Sequence, residues 1–147
     1  MTTGASLEEL YREVILDHFR DPRNKGTLPN PTGTFSGSNP VCGDEVTIDL
    51  VVEEGRIVDV AFRGEGCSIS QASSSMLAER VVGMPADDSR KLAAAVRTML
   101  QTGDEPVDDV GDLDALRGVA KFPVRVKCAL LSWNVLEQGL NELAPAS

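Results

Sequence analysis

Aromatic side chains are scarce in this sequence: one Trp, one Tyr and four Phe among 147 residues. Its core must therefore be aliphatic, built from Val, Leu, Ile and Ala. Positive charge is also in short supply. Fourteen Lys and Arg stand against 23 Asp and Glu, a net charge of −9 with no basic cluster to offset it. Such a surface repels phosphate backbones, so no nucleic-acid partner is expected. No apolar run approaches the ~18 residues that a membrane-spanning helix needs. The opening MTTGASLEEL lacks both the basic start and the apolar stretch of a signal peptide. A cytoplasmic location without membrane partners is the expectation. Cysteine is rare as well, with three residues. In a compartment that keeps thiols reduced, an odd and low number fits metal binding or thiol chemistry better than a disulfide framework.

What is present is ordinary for a globular chain. Hydrophobic residues make up 41% and charged residues 25%, which fits one domain spanning 1–147. Ser6 and Glu9 have the spacing of a capping box. The helix that follows carries Leu7, Leu10, Tyr11, Val14, Ile15 and His18 on one side and stops at Pro22. A loop of turn-forming residues, DPRNKGTLPNPTG, comes next. Val46, Ile48, Leu50 and Val52 then alternate with polar residues, as do Val58, Val60 and Phe62 beyond Glu54-Gly55. This reads as a hairpin, with a weaker third strand over Thr34 to Ser38. SISQASSSMLAERVVG predicts a helix capped by Ser68 or Ser70 and ended by Gly83. A second helix is expected from about Ser89 to Leu100, capped by Asp87 or Asp88. The acidic stretch Asp104 to Asp114 reads as a solvated surface loop with a short helical piece beyond it. Val126, Ala129, Leu130, Trp133, Leu136, Leu140 and Leu143 mark a final amphipathic helix, with Cys128 in its first turn after Pro123. The expected fold is α+β: a small antiparallel sheet of about three strands packed against several helices.

Cys42-Gly43-Asp44, Cys67 and Cys128 form the main chemical signal. Each cysteine lies at the edge of a regular element, and the hairpin brings residues 42 and 67 together although they are 25 apart in sequence. Helix starts at Cys67 and Cys128 place them at the positive end of a macrodipole, which favours thiolate over thiol. Three thiolates and one carboxylate complete a tetrahedral zinc shell. Gly43, Gly64 and Gly66 let the backbone bend around it. A lone free cysteine often only fills a core; three at element boundaries beside glycines make that reading weaker.

The blocks YREVILDHFRDPRNKG, NPVCGDEVTIDL, GEGCSISQASSSM and RVKCALLSWNVL together resemble the SufU family. This is the zinc-containing branch of the IscU-like sulfur-transfer and iron–sulfur scaffold proteins, and the likeness runs from about Leu7 to Leu143. It implies one zinc held by Cys42, Asp44, Cys67 and Cys128. It also implies that Cys42 accepts persulfide sulfur from a SufS-type cysteine desulfurase, with downstream cluster-assembly proteins as further partners. IscU-type scaffolds have a histidine just before the third cysteine and an LPPVK segment. Here Lys127 and FPVRVKC stand instead, which favours sulfur transfer over a long-lived scaffold. A scaffold holding a transient iron–sulfur cluster on the same ligands is the alternative, and a purely structural zinc site ranks third.

Arg125 and Lys127 flank Cys128. Arg125 can pair with a carboxylate of the desulfurase through its planar fork, whereas Lys127 reads as solvated. His18, the one histidine, reads as a satisfied, partly buried structural residue. Ser73, Ser74 and Ser75 suit close helix packing and have no base nearby to activate a hydroxyl.

Overall fold

A computed structural model describes residues 7–106 and 110–145, with side chains from residue 11 onward. The Ser6–Glu9 capping box and the facing of Leu7 and Leu10 lie outside the described residues and side chains. The order is α1 (Leu7–Arg20), β1 (Gly33–Asn39), β2 (Asp44–Glu53), β3 (Arg56–Glu65), α2 (Ser68–Val81), α3 (Ala86–Thr102), a 3-10 segment (Gly111–Lys121) and α4 (Pro123–Leu143). The strands form one antiparallel sheet in the order β1-β2-β3, so the fold is α+β as expected. Among the described residues, no helix is long and apolar enough to cross a membrane.

The period-2 pattern places Val46, Ile48 and Leu50 of β2 and Val60 and Phe62 of β3 inside. Val58 departs from that reading and is 43% exposed. Val51 pairs with Asp59 but Val52 pairs with Ile57, so one extra residue bulges out of β3 and Ile57 takes the inner position. The turn between the strands has Glu54 and Gly55 at φ 51° and 74°, the two left-handed positions that a tight hairpin of this twist requires. Beside the sheet runs α4, whose Trp133 is fully buried. The Trp133 ring N–H donates to Ser73 Oγ at 3.2 Å, and Ser73 donates to the Ala129 carbonyl at 2.6 Å. The small serines of α2 thus admit the Trp133 ring to a mostly aliphatic core that also holds Phe35 and Phe62.

Helix starts differ from the expected ones. Cys67 itself is the N-cap of α2, with Ser68 already helical and no side chain capping the turn. Helix α3 begins at Ala86 behind Pro85, leaving Asp87 and Asp88 in the first turn, where their charge favours the dipole without capping it. Pro123 is the first residue of α4, not a residue ahead of it, so Cys128 falls in the second turn. The acidic stretch is also more than a solvated loop. Val110 and Leu113 are buried in the core. Asp112 accepts from the ring of His18, and Asp114 accepts from the Tyr11 hydroxyl at 2.8 Å.

Candidate metal centre

Three chain segments meet at one end of the sheet. The first is the loop between β1 and β2, closed by the Cys42 N–H donating to the Asn39 carbonyl at 3.2 Å. Gly43, at φ 71°, turns the chain so that Cys42 and Asp44 can face one point. The second is the end of β3, where Gly64 adopts φ 144° before the chain reaches Cys67. Gly66 acts through space rather than through its backbone angle. A Cβ there would stand 2.5 Å from Asp44 Oδ1, so its missing side chain is the room the carboxylate occupies. The third is the second turn of α4, which buries Cys128.

The donor atoms of Cys42, Asp44 and Cys128 all lie within 4.8 Å of one another. Cys67 falls outside that triad, but it joins the centre in two ways. Its backbone N–H donates to Asp44 Oδ1 at 2.9 Å, and its sulfur lies close to Cys128 and to the Arg125 guanidinium. Those two sulfurs hold the Arg125 proton more firmly than usual.

Chemistry tests whether a metal fits. Asp44 is 1% exposed and its Oδ2 has no hydrogen-bond partner among the described residues. A buried carboxylate oxygen left so is costly unless a cation completes it. Burial, followed by the neighbouring Asp44, Cys42 and Cys67, pushes the Cys128 thiol well above its ordinary range. Thiols and a carboxylate gathered at one point, with Arg125 beside two of the sulfurs, suit a borderline-soft divalent ion such as zinc. Two further buried amide atoms, Asn39 Nδ2 and Gln71 Oε1, also lack partners among the described residues. The Asn39-Pro40 turn pair and the position of Gln71 one helical turn after Cys67 were the signals available for them.

A second group, His18, Glu79 and Asp112, also has its donor atoms within 4.8 Å, but its members are already engaged. His18 is fully buried, with Nδ1 2.8 Å from Ser75 Oγ and Nε2 3.0 Å from Asp112 Oδ2. Glu79 lies 3.4 Å from the Arg23 guanidinium. The structural reading of His18 stands, with burial complete rather than partial.

Comparison with known proteins places this geometry. The family model described as the NifU-like N terminal domain matches residues 10–142. The chain belongs to the NifU-like N-terminal domain family. It is 43% identical over 142 residues to the zinc-dependent sulfurtransferase SufU of Bacillus subtilis, covering 95% of each chain. It is 37% identical over 143 residues to the iron–sulfur cluster assembly scaffold protein IscU of Streptococcus pyogenes, covering 97% of this chain and 89% of that one. A crystal structure from Fervidobacterium islandicum, described as a scaffold protein for the SUF system, superposes with a TM-score of 0.80 at 35% identity, over 86% of this chain and 93% of that one. In this NifU-like domain, then, the three cysteines and Asp44 occupy one end of a fold shared with both sulfur-transfer and scaffold proteins.

Proposed function

We propose that this NifU-like domain serves iron–sulfur cluster biogenesis as a zinc-dependent sulfur carrier that accepts persulfide sulfur on Cys42 from a SufS-type cysteine desulfurase. One observation carries the reading: a buried, unpartnered Asp44 oxygen facing clustered thiols, in a chain 43% identical to a zinc-dependent sulfurtransferase. Cys42, Asp44, Cys67 and Cys128 would hold the zinc. When bound, zinc draws charge from its donors and keeps the thiols as thiolates at neutral pH.

The residues divide the work by where they stand. Cys42 lies on a loop and is half-buried, whereas Cys128 is buried on α4 and Cys67 caps α2. Cys42 is thus the thiolate that can turn outward. It attacks the outer sulfur of the donor persulfide; the donor S–S bond breaks, the donor cysteine leaves as thiolate, and Cys42 carries the new S–SH group with its proton. No electrons are gained or lost overall. Arg125, exposed beside Cys67 and Cys128, offers its guanidinium to a carboxylate of the donor protein. Such a carrier would work in the cytoplasm and pass sulfur on to cluster-assembly proteins.

Incubation with a cysteine desulfurase and cysteine should add one sulfur mass to the Cys42 peptide, read by mass spectrometry without reductant. A persulfide mainly on Cys128 would move the acceptor role. The likeness to IscU supports a second reading, a scaffold for a transient cluster. Elemental analysis finding iron and sulfide, with no zinc, would favour it.

A further inference from the structure

Asn39 ends β1 at the metal centre. Its side chain is buried, at 9% exposure, and its Nδ2 has no partner among the described residues. It pairs across the sheet with Asp44, and residues directly opposite in an antiparallel pair put their side chains on one face. Asn39 and Asp44 are thus buried neighbours, one with an unused donor and the other with an unused acceptor. Helix α4 covers the same face. A Cβ on Gly33 would meet Leu143, one on Gly139 would meet Phe35, and one on Gly37 would meet Val135 and Leu131. Each step of two residues along β1 meets α4 nearer its start, which brings Asn39 toward the turn that holds Cys128. Main-chain atoms tie Asn39 to Cys42 as well, since its carbonyl accepts the Cys42 N–H at 3.2 Å. That bond closes the turn without the side chain, so forming the loop does not require the amide.

Three thiolates and a carboxylate around one divalent ion leave an excess of negative charge, in a site that buries Asp44 and Cys128. Arg125 answers it beside Cys67 and Cys128, and the Cys67 N–H answers it on Asp44 Oδ1. We propose that Asn39 is a positioning residue of the metal centre, its amide N–H donating to the negatively charged ligands between the Cys42 loop and Asp44. The inference rests on the zinc reading above and adds a residue that orients the ligands without touching the ion. Hydrogen bonds to a charged acceptor are stronger than neutral ones, and outer partners of this kind tune metal affinity about 10- to 100-fold. An unbonded buried amide also costs the metal-free chain stability that metal binding returns.

Valine and threonine have nearly the same shape, differ by one hydroxyl, and both suit a strand. Asn39→Val removes the donor and Asn39→Thr restores one. Zinc affinity, read by chelator competition, should fall about tenfold in Asn39→Val and return to within about threefold of the wild type in Asn39→Thr. Urea unfolding of the metal-free chains should show the opposite order. Asn39→Val should be at least as stable as the wild type and Asn39→Thr, because no orphaned donor is left. In the wild type, zinc should slow hydrogen exchange of the Asn39 side-chain amide about tenfold. The Asn24 amide, which already donates to the Val60 carbonyl at 3.0 Å, should not change. The exchange measurement decides the matter if neither variant folds. Equal zinc affinities in Asn39→Val and Asn39→Thr, or an Asn39 amide that zinc does not protect, would overturn the role and leave the zinc centre standing. Lower metal-free stability in both variants with wild-type affinity would reduce Asn39 to a turn former. A wild type that takes up no zinc would overturn the zinc reading and the role of Asn39 together.

Discussion

Two carboxylates on β2, Asp44 and Asp49, are each 1% exposed, yet their surroundings are opposite. Asp49 accepts the Leu28 N–H at 3.0 Å, the Thr34 hydroxyl at 2.8 Å and the Arg63 guanidinium at 2.9 Å. It ties the loop before β1, β1 itself and β3 to the central strand. Asp44 accepts one N–H from Cys67 and leaves Oδ2 with no partner among the described residues. Burial alone therefore does not distinguish structure from function; satisfaction does. A saturated buried charge belongs to the fold, and an unsaturated one beside thiols awaits a cation.

Removing each carboxylate should separate the two roles. Asp49→Ala leaves Arg63 without its ion-pair partner and the Leu28 N–H and Thr34 hydroxyl without theirs, so unfolding in urea should lose about 3–5 kcal/mol. Its zinc stoichiometry should stay at one per chain. Asp44→Ala should do the reverse. The metal-free protein should change by less than about 1 kcal/mol, because losing one N–H bond is offset by removing an orphaned oxygen. Zinc affinity should fall about a hundredfold, or ~2.8 kcal/mol. A metal-free Asp44→Ala that unfolds as readily as Asp49→Ala would erase the distinction.

Acid should sharpen the same contrast. Burial by itself would raise the Asp49 carboxyl, but Arg63, the Leu28 N–H and the Thr34 hydroxyl outweigh it and hold the group below its ordinary range. A folded value below the unfolded one, about 3.9, means stability that is present above that value and lost as pH falls through the folded one. The stability gap between wild type and Asp49→Asn should be constant near neutrality and shrink below about pH 4. A gap unchanged down to about pH 2 would show that Asp49 acts by shape alone.

Much of this was legible in residues with short-range logic. The Val46–Leu50 alternation with the Glu54-Gly55 turn located the hairpin, and the hairpin brought Cys42 toward Cys67. Cys42, Asp44 and Cys128 converge as their positions at element edges suggested. What escaped depended on competition between neighbours or on distant contacts. Ser68 and Asp87 have capping chemistry, yet the turns start at Cys67 and Pro85 because Gly66 and Pro85 determine where the chain enters each helix. Val58 keeps a strand's alternation in sequence but loses it to the bulge opposite Val51 and Val52. The acidic stretch looks solvated by composition. Leu113, Leu116 and Val119 nonetheless pack into the core at 3-10 spacing, a short period that few sequence patterns reveal.

His18 offers a third buried polar group, intermediate between the two carboxylates, and the smallest expected effect. Ser75 Oγ accepts the Arg23 backbone N–H at 2.8 Å and lies 2.8 Å from His18 Nδ1. The His18 Nε2–H donates to Asp112, a carboxylate that can only accept and whose side chain is 56% exposed. Asp112→Asn keeps an acceptor oxygen in place and removes only the charge at a solvent-facing partner. The cost in urea unfolding should be under about 1 kcal/mol, and zinc should remain at one per chain with unchanged affinity. If His18, Glu79 and Asp112 held a metal of their own, the wild type would take up a second equivalent that Asp112→Asn loses. A satisfied imidazole, like the satisfied Asp49, should instead leave the metal count untouched.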